Sequence, residues 1–246
     1  MRRRLILIAV AVAVLIPLSV FADPITGELA FTGNVTATFT SLNFTCATGQ
    51  SCSSGQGTYS IDGSASTGTF AGLGGQTGHI TNISNSTTPP GSTVSLANFL
   101  TLPDGDSFTL TELNIGTGGS CPPASGSTCT PTSPLLVSSS NPSGKTGTIF
   151  EDTATGSSAE FSVDAVATSA SGQTTDYTGT FSATFNGMTT AQVLADLSSA
   201  GSISTPYSAT FTPVSKTVVP EPGTASFMIA GLLVLAGSGL RRFSHC

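Results

Sequence analysis

The sequence predicts an all-β fold, an antiparallel β-sandwich or its jelly-roll variant, with one short helix near the C-terminal end. Three observations predict it. Apolar and polar residues alternate in short runs, most clearly at Phe161, Val163 and Ala165 and again at Tyr177, Phe181, Ala183 and Phe185. That period of two marks half-buried strands. Clusters of Gly, Pro, Asn, Asp and Ser break the runs, as tight turns require. Finally, no segment repeats at a fixed period, which argues against a propeller or β-helix. Apolar stretches at both ends add two predicted membrane-inserting helices.

The elements follow in chain order. Leu29, Phe31, Val35 and Phe39 sit at odd positions, and Leu42, Phe44 and Cys46 at even ones. The run therefore slips once, at a bulge or a turn. Tyr59 and Ile61 begin another strand. Phe70 and Leu73 lie in a glycine-rich stretch that reads as a loop running to Gly78, with a short strand at Ile80 and Ile83. Phe99 to Leu102, the turn Pro103-Asp104-Gly105-Asp106, then Phe108 and Leu110 read as a hairpin. Residues 116–134 form a long Gly/Ser/Thr/Cys/Pro loop, before short strands at Leu135 to Val137 and Ile149-Phe150. The segment 160–213 is the clearest: two strands, a helix with Val193, Leu194 and Leu197 on one face, and a last strand through Tyr207, Ala209 and Phe211. Thr189 or Thr190 can cap that helix and Gly201 stop it. Roughly nine to twelve short strands result.

The ends carry addressing information. Arg2-Arg3-Arg4, the apolar run Leu5 to Ile16, Pro17, and Val20-Phe21-Ala22 before Asp23 have the order of a secretory signal peptide, residues 1–22. At the other end Pro220-Glu221-Pro222 precedes an uncharged apolar stretch, 225–240, and then Arg241-Arg242. The prolines fix φ and bias their neighbours to extended backbone, so the peptide loses little entropy when gripped. Sixteen helical residues span about 24 Å, barely enough to cross a bilayer core. The arginines would stay on the cytoplasmic side.

This tail resembles the PEP-CTERM sorting signal that exosortases process in many Gram-negative bacteria. The resemblance covers residues 220–246, and a strand–helix–strand close before the tail is similar to other members. It implies that Pro220, Glu221, Pro222, Arg241 and Arg242 form the sorting signal. It further implies that signal peptidase and exosortase are partners during export, and that the mature body, secreted or held at the cell surface, is linked to exopolysaccharide or biofilm material. The membrane is then a partner only before processing. The expected organisation is signal peptide 1–22, β-sandwich 23–213, spacer 214–219 and sorting signal 220–246 with its transmembrane helix 225–240.

Charge narrows the partners. All five arginines lie in the two ends, leaving Lys145 and Lys216 against twelve acids in the body, a net charge of about −10. Such a body lacks the clustered cations that nucleic acid needs. Its Phe, Val, Leu and Ile are spread along the chain, so it is expected to fold rather than stay disordered. Four cysteines remain in it, and an even number in an exported chain reads as disulfides. Proximity suggests Cys46–Cys52 and Cys121–Cys129. Zinc would want C-x-x-C-like spacing or nearby histidines, and neither occurs.

Chemistry is sparse. His79, the one histidine of the body, lies in the glycine-rich stretch with no G-x-S-x-G serine nearby, so a triad has little to build on. Asp104 and Asp106 form a D-x-D in a turn, a weak calcium candidate without EF-hand spacing. Glu151-Asp152 is a second acidic pair, and no two acids are singled out as glycosidase carboxylates. Tyr59, Tyr177 and Tyr207 sit at strand positions and read as core. Four Asn-x-Ser/Thr sequences, at Asn34, Asn43, Asn82 and Asn85, arise readily in a Ser/Thr-rich chain. The expected function is therefore a non-catalytic envelope or matrix protein with no cofactor. The alternatives are a carbohydrate- or calcium-binding module and, behind it, an uncharacterised hydrolase.

Overall fold

The computed structural model describes residues 24–116, 120–121, 123, 127–130 and 148–214. The signal peptide, the strand expected at Leu135 to Val137 and the whole tail from 215, with its predicted span 225–240, lie outside the described residues. Among the described residues no helix is long and apolar enough to cross a membrane.

Among the described residues, twelve strands, all paired antiparallel, and one α-helix form the body: β1 Leu29–Thr38, β2 Ser41–Phe44, β3 Gln56–Ile61, β4 Thr77–Thr81, β5 Ile83–Ser84, β6 Thr93–Thr101, β7 Ser107–Leu113, β8 Thr128–Cys129, β9 Ile149–Thr153, β10 Gly156–Thr168, β11 Thr174–Asn186, α1 Thr190–Ala200 and β12 Ser202–Pro213. The expected sandwich is corrected here. Eight strands close into a barrel in the order β1-β3-β4-β6-β7-β10-β11-β12 and back to β1. The closing step is the pairing of the first strand with the last over ten residues, from Leu29 opposite Phe211 to Thr38 opposite Ser202. Closure removes the sheet edges that a sandwich would leave exposed.

Alternation could not distinguish the two, because both bury one face of each strand. What bends this sheet are bulges and glycines. β6 shifts register twice against β7, with Asn98 at φ 54°, and β10 shifts between Asp164 and Ala165. Bulges raise local twist and help a sheet to close.

Glycines on the inner face make room for rings. Gly33 is paired with Tyr207, Gly78 with Tyr59, and Gly179 with Phe211. In each pair the ring lies across its glycine partner, so a Cβ at any of the three would overlap it. Around them pack Phe31, Phe99 and Phe108, all essentially solvent-free. Phe31 lies 4.3 Å from Tyr59 and 5.9 Å from Phe211, centroid to centroid, and Phe108 5.3 Å from Phe211. An eight-stranded barrel is just wide enough to be filled by side chains or to hold one small ligand. This one is filled.

One end is plugged. The stretch read from sequence as loop at Phe70 and Leu73 is a 3-10 turn, Gly68–Leu73, whose Phe70 is buried against Phe108 and Tyr177. The strap before β1 crosses it: Glu28 N donates to Thr67 Oγ1, Thr26 N to Thr69 Oγ1, and Tyr177 Oη to Gly27 O. Gly27 (φ 94°) and Gly68 (φ 57°) touch backbone to backbone there. At the opposite end the sheet opens. β1 leaves β3 for β2, and β10 leaves β7 for β9. Helix α1 covers this gap with Val193 and Leu197, under the Thr189–Gln192 capping box and the αL stop at Gly201.

Candidate functional site

The disulfides join Cys46 to Cys52 and Cys121 to Cys129, the local pairs suggested by spacing. The first pins the loop that follows β2. That loop lies on β3 through Thr58 N to Thr45 O (3.1 Å) and Ala47 N to Thr58 Oγ1 (2.8 Å). Cys121–Cys129 fastens Cys121 to β8, the strand that pairs with β9.

The acidic candidates are used structurally. Asp104 Oδ1 accepts from Asp106 N at 3.1 Å, an Asx turn, and Asp106 Oδ1 accepts from Ala170 N at 3.0 Å across to the β10–β11 turn. Asp106 is 6% exposed. Burial, more than the opposing Ala170 hydrogen bond, holds its carboxyl above the usual range. Asp152 Oδ1 accepts from Thr190 N at 2.6 Å and so tethers the start of α1. Among the described residues no three His, Cys, Asp or Glu side chains gather as metal ligands. His79 is not in a loop, as the glycines around it suggested. It is on β4, between Thr58 of β3 and Thr101 of β6, with a buried Nδ1 that has no hydrogen-bond partner among the described residues. The glycine Gly78 that made the segment look loop-like is there to admit the Tyr59 ring.

All three tyrosines are core residues. Tyr59 Oη donates to Thr101 O at 3.3 Å. Its pKa lies well above the ordinary value through burial, then the neighbouring Tyr207 and Asp104. Burial and Asp106 push Tyr177 up to about 12. Tyr207 is also raised by burial, and its phenolic oxygen is buried without a hydrogen-bond partner among the described residues.

Two hollows stand out. The first is an apolar cavity of about 50 Å³ beneath α1, bounded by Val35, Ala183, Phe185, Val193 and Leu197. The second is a groove of about 580 Å³ on the outside of the barrel where β1 parts from β3. Outward side chains Thr32, Asn34 and Ser60 line it, and so do the inward residues Tyr59 and Tyr207. Gly33 lies in register between the two tyrosines, and the Tyr207 ring fills the inner-face space that a side chain at Gly33 would take. The disulfide loop, at Cys46 to Thr48, forms one side.

Sequence reasoning did not find this groove. Its polar residues are mostly threonines, with one serine and one asparagine, commonplace in this chain, and they meet only where β1, β3 and the disulfide loop lie side by side. The sorting residues Pro220, Glu221, Pro222, Arg241 and Arg242 lie outside the described residues. The chain matches no family model, no curated protein and no solved structure.

Proposed function

We propose that the chain is a non-catalytic protein delivered to the bacterial envelope or extracellular matrix, exported by its signal peptide and processed at its tail by an exosortase. The observation that carries this reading is the order Pro220-Glu221-Pro222, apolar 225–240, Arg241-Arg242. Two disulfides fit an oxidising compartment outside the cytoplasm. A barrel filled with rings fits a structural body better than a vessel for a small molecule. The test is the intact mass of the protein recovered from an exosortase-bearing host. The expected species lacks residues 1–22 and the apolar tail and is lighter by two hydrogen atoms per disulfide. An intact chain in the envelope still carrying Phe227 to Leu240 would leave only a plain membrane anchor.

A further inference from the structure

We infer that the groove at Gly33 binds an uncharged glycan segment, with Asn34 and Ser60 on its walls and Tyr207 at its floor. This deepens the surface-protein reading by naming a ligand class, and it is tested independently of how the tail is processed.

Three observations carry it. The first is size: about 580 Å³ is the scale of a small-ligand site and accommodates a few sugar rings. The second is unused hydrogen-bonding capacity. Some hydroxyls elsewhere on the surface pair with one another, Thr36 with Ser204, Thr38 with Ser41 and Ser169 with Ser171, at 2.7–2.8 Å. In the groove the side chains of Thr32, Asn34, Thr48 and Ser60 have no such partner among the described residues, although they share one concavity. Tyr207, 5% exposed, adds a buried phenolic oxygen equally without a partner. A buried polar group left unpaired calls for an explanation, and a ligand or a bridging water at the floor supplies one.

The third is charge. Among the described residues no carboxylate, amine or guanidinium lines the groove, and the body around it is strongly acidic. Among the described residues an anionic ligand would find no cation there, and a cationic one no carboxylate within the groove. Hydroxyl and amide groups both donate and accept. They match the mixed donor and acceptor edge of a neutral sugar. The disulfide Cys46–Cys52 holds one wall in place, so the site is largely formed before binding.

The experiment is affinity electrophoresis of the full chain, in mild detergent, through gels containing dextran, xylan or galactomannan, with alginate as the anionic comparison. At least one neutral polysaccharide is expected to retard the protein, and alginate is not. Ser60→Arg, which fills the groove with a long charged side chain, and Asn34→Ala are each expected to weaken retardation at least tenfold. Gln173→Arg, the same added charge on a remote exposed turn, leaves it unchanged. Tyr207→Phe keeps the ring and weakens retardation severalfold. Unfolding midpoints for every variant separate loss of binding from loss of fold. Free migration through all three neutral gels overturns the proposal. So does preferential retardation by alginate, or equal retardation of the wild type, Ser60→Arg, Asn34→Ala and Tyr207→Phe.

Discussion

Gly179 and Ala183 lie on the same strand, β11, both facing inward, yet one has no space in front of it and the other faces a cavity. Gly179 carries the Phe211 ring directly on its Cα. Ala183 borders the apolar hollow beneath α1. The barrel thus has a plugged, ring-filled end and an end where the sheet splays and one helix makes do as a cover. The difference teaches how the chain divides its packing. Where the sheet closes on itself, glycine and aromatic are matched across strands and no volume is spare. Where β2 and β9 branch off the ring, the curvature has no partner strand to match it, and a two-residue apolar face on α1 cannot fill the gap.

The largest expected effect comes from emptying the filled end. Phe211→Ala removes a fully buried ring that touches Phe31, Phe108 and Phe181, and should cost about 3–5 kcal/mol. Urea unfolding reads it, and a loss under about 1 kcal/mol would mean that the two ends are equally loose. Next come the two β11 positions themselves. Gly179→Ala should destabilise by about 1–3 kcal/mol, because its methyl group has nowhere to go. Ala183→Val should instead stabilise by up to about 1 kcal/mol, since added methyls occupy apolar space that water does not fill. Equal signs for the two substitutions would break the comparison outright.

The tyrosine hydroxyl at the strapped end gives a pH test. Tyr177 titrates near 10 when unfolded and is pushed up to about 12 when folded. Its contribution is therefore complete below pH 10 and lost as pH rises through 12. Tyr177→Phe should flatten the alkaline decline of stability between those values, while also losing the tie from Tyr177 Oη to Gly27 O. An unchanged alkaline limb would show that the strap opens without regard to this phenol.

Much of the strand and helix placement was legible in the sequence. The alternation at 161–165 and 177–185 places those strands, and Thr189, Val193, Leu197 and Gly201 place α1 with its cap, face and stop. Closure was not legible. It depends on Leu29–Thr38 finding Ser202–Pro213 from the far end of the body, and alternation within each strand says nothing about which strand is its neighbour. The glycines misled for a related reason. Gly78 reads as a loop residue until Tyr59 is known to lie over it, and so His79 was placed in a loop instead of on β4. The groove failed to show for the same cause, since its lining comes from β1, β3, β12 and the disulfide loop, segments distant in sequence.

The smallest effect is expected at Asp106, at the mouth of the plugged end. As a calcium ligand its charge would stabilise the bound protein. As a turn residue it needs only one oxygen, the Oδ1 that accepts from Ala170 N at 3.0 Å. Asparagine keeps that oxygen. Burial raises the Asp106 carboxyl above its ordinary value of 3.8, so folding favours the protonated form. A raised pKa gives a contribution present below the unfolded value and lost as pH climbs through the folded one. Asp106→Asn should therefore be neutral near pH 3 and slightly stabilising at pH 7, by less than about 1 kcal/mol for a single partly buried carboxylate. Urea midpoints at the two pH values, with and without millimolar calcium, measure it. A loss of stability at pH 7 that appears only when calcium is present would show the carboxylate at work as a ligand, and would restore the reading of Asp104 and Asp106 as a cation site.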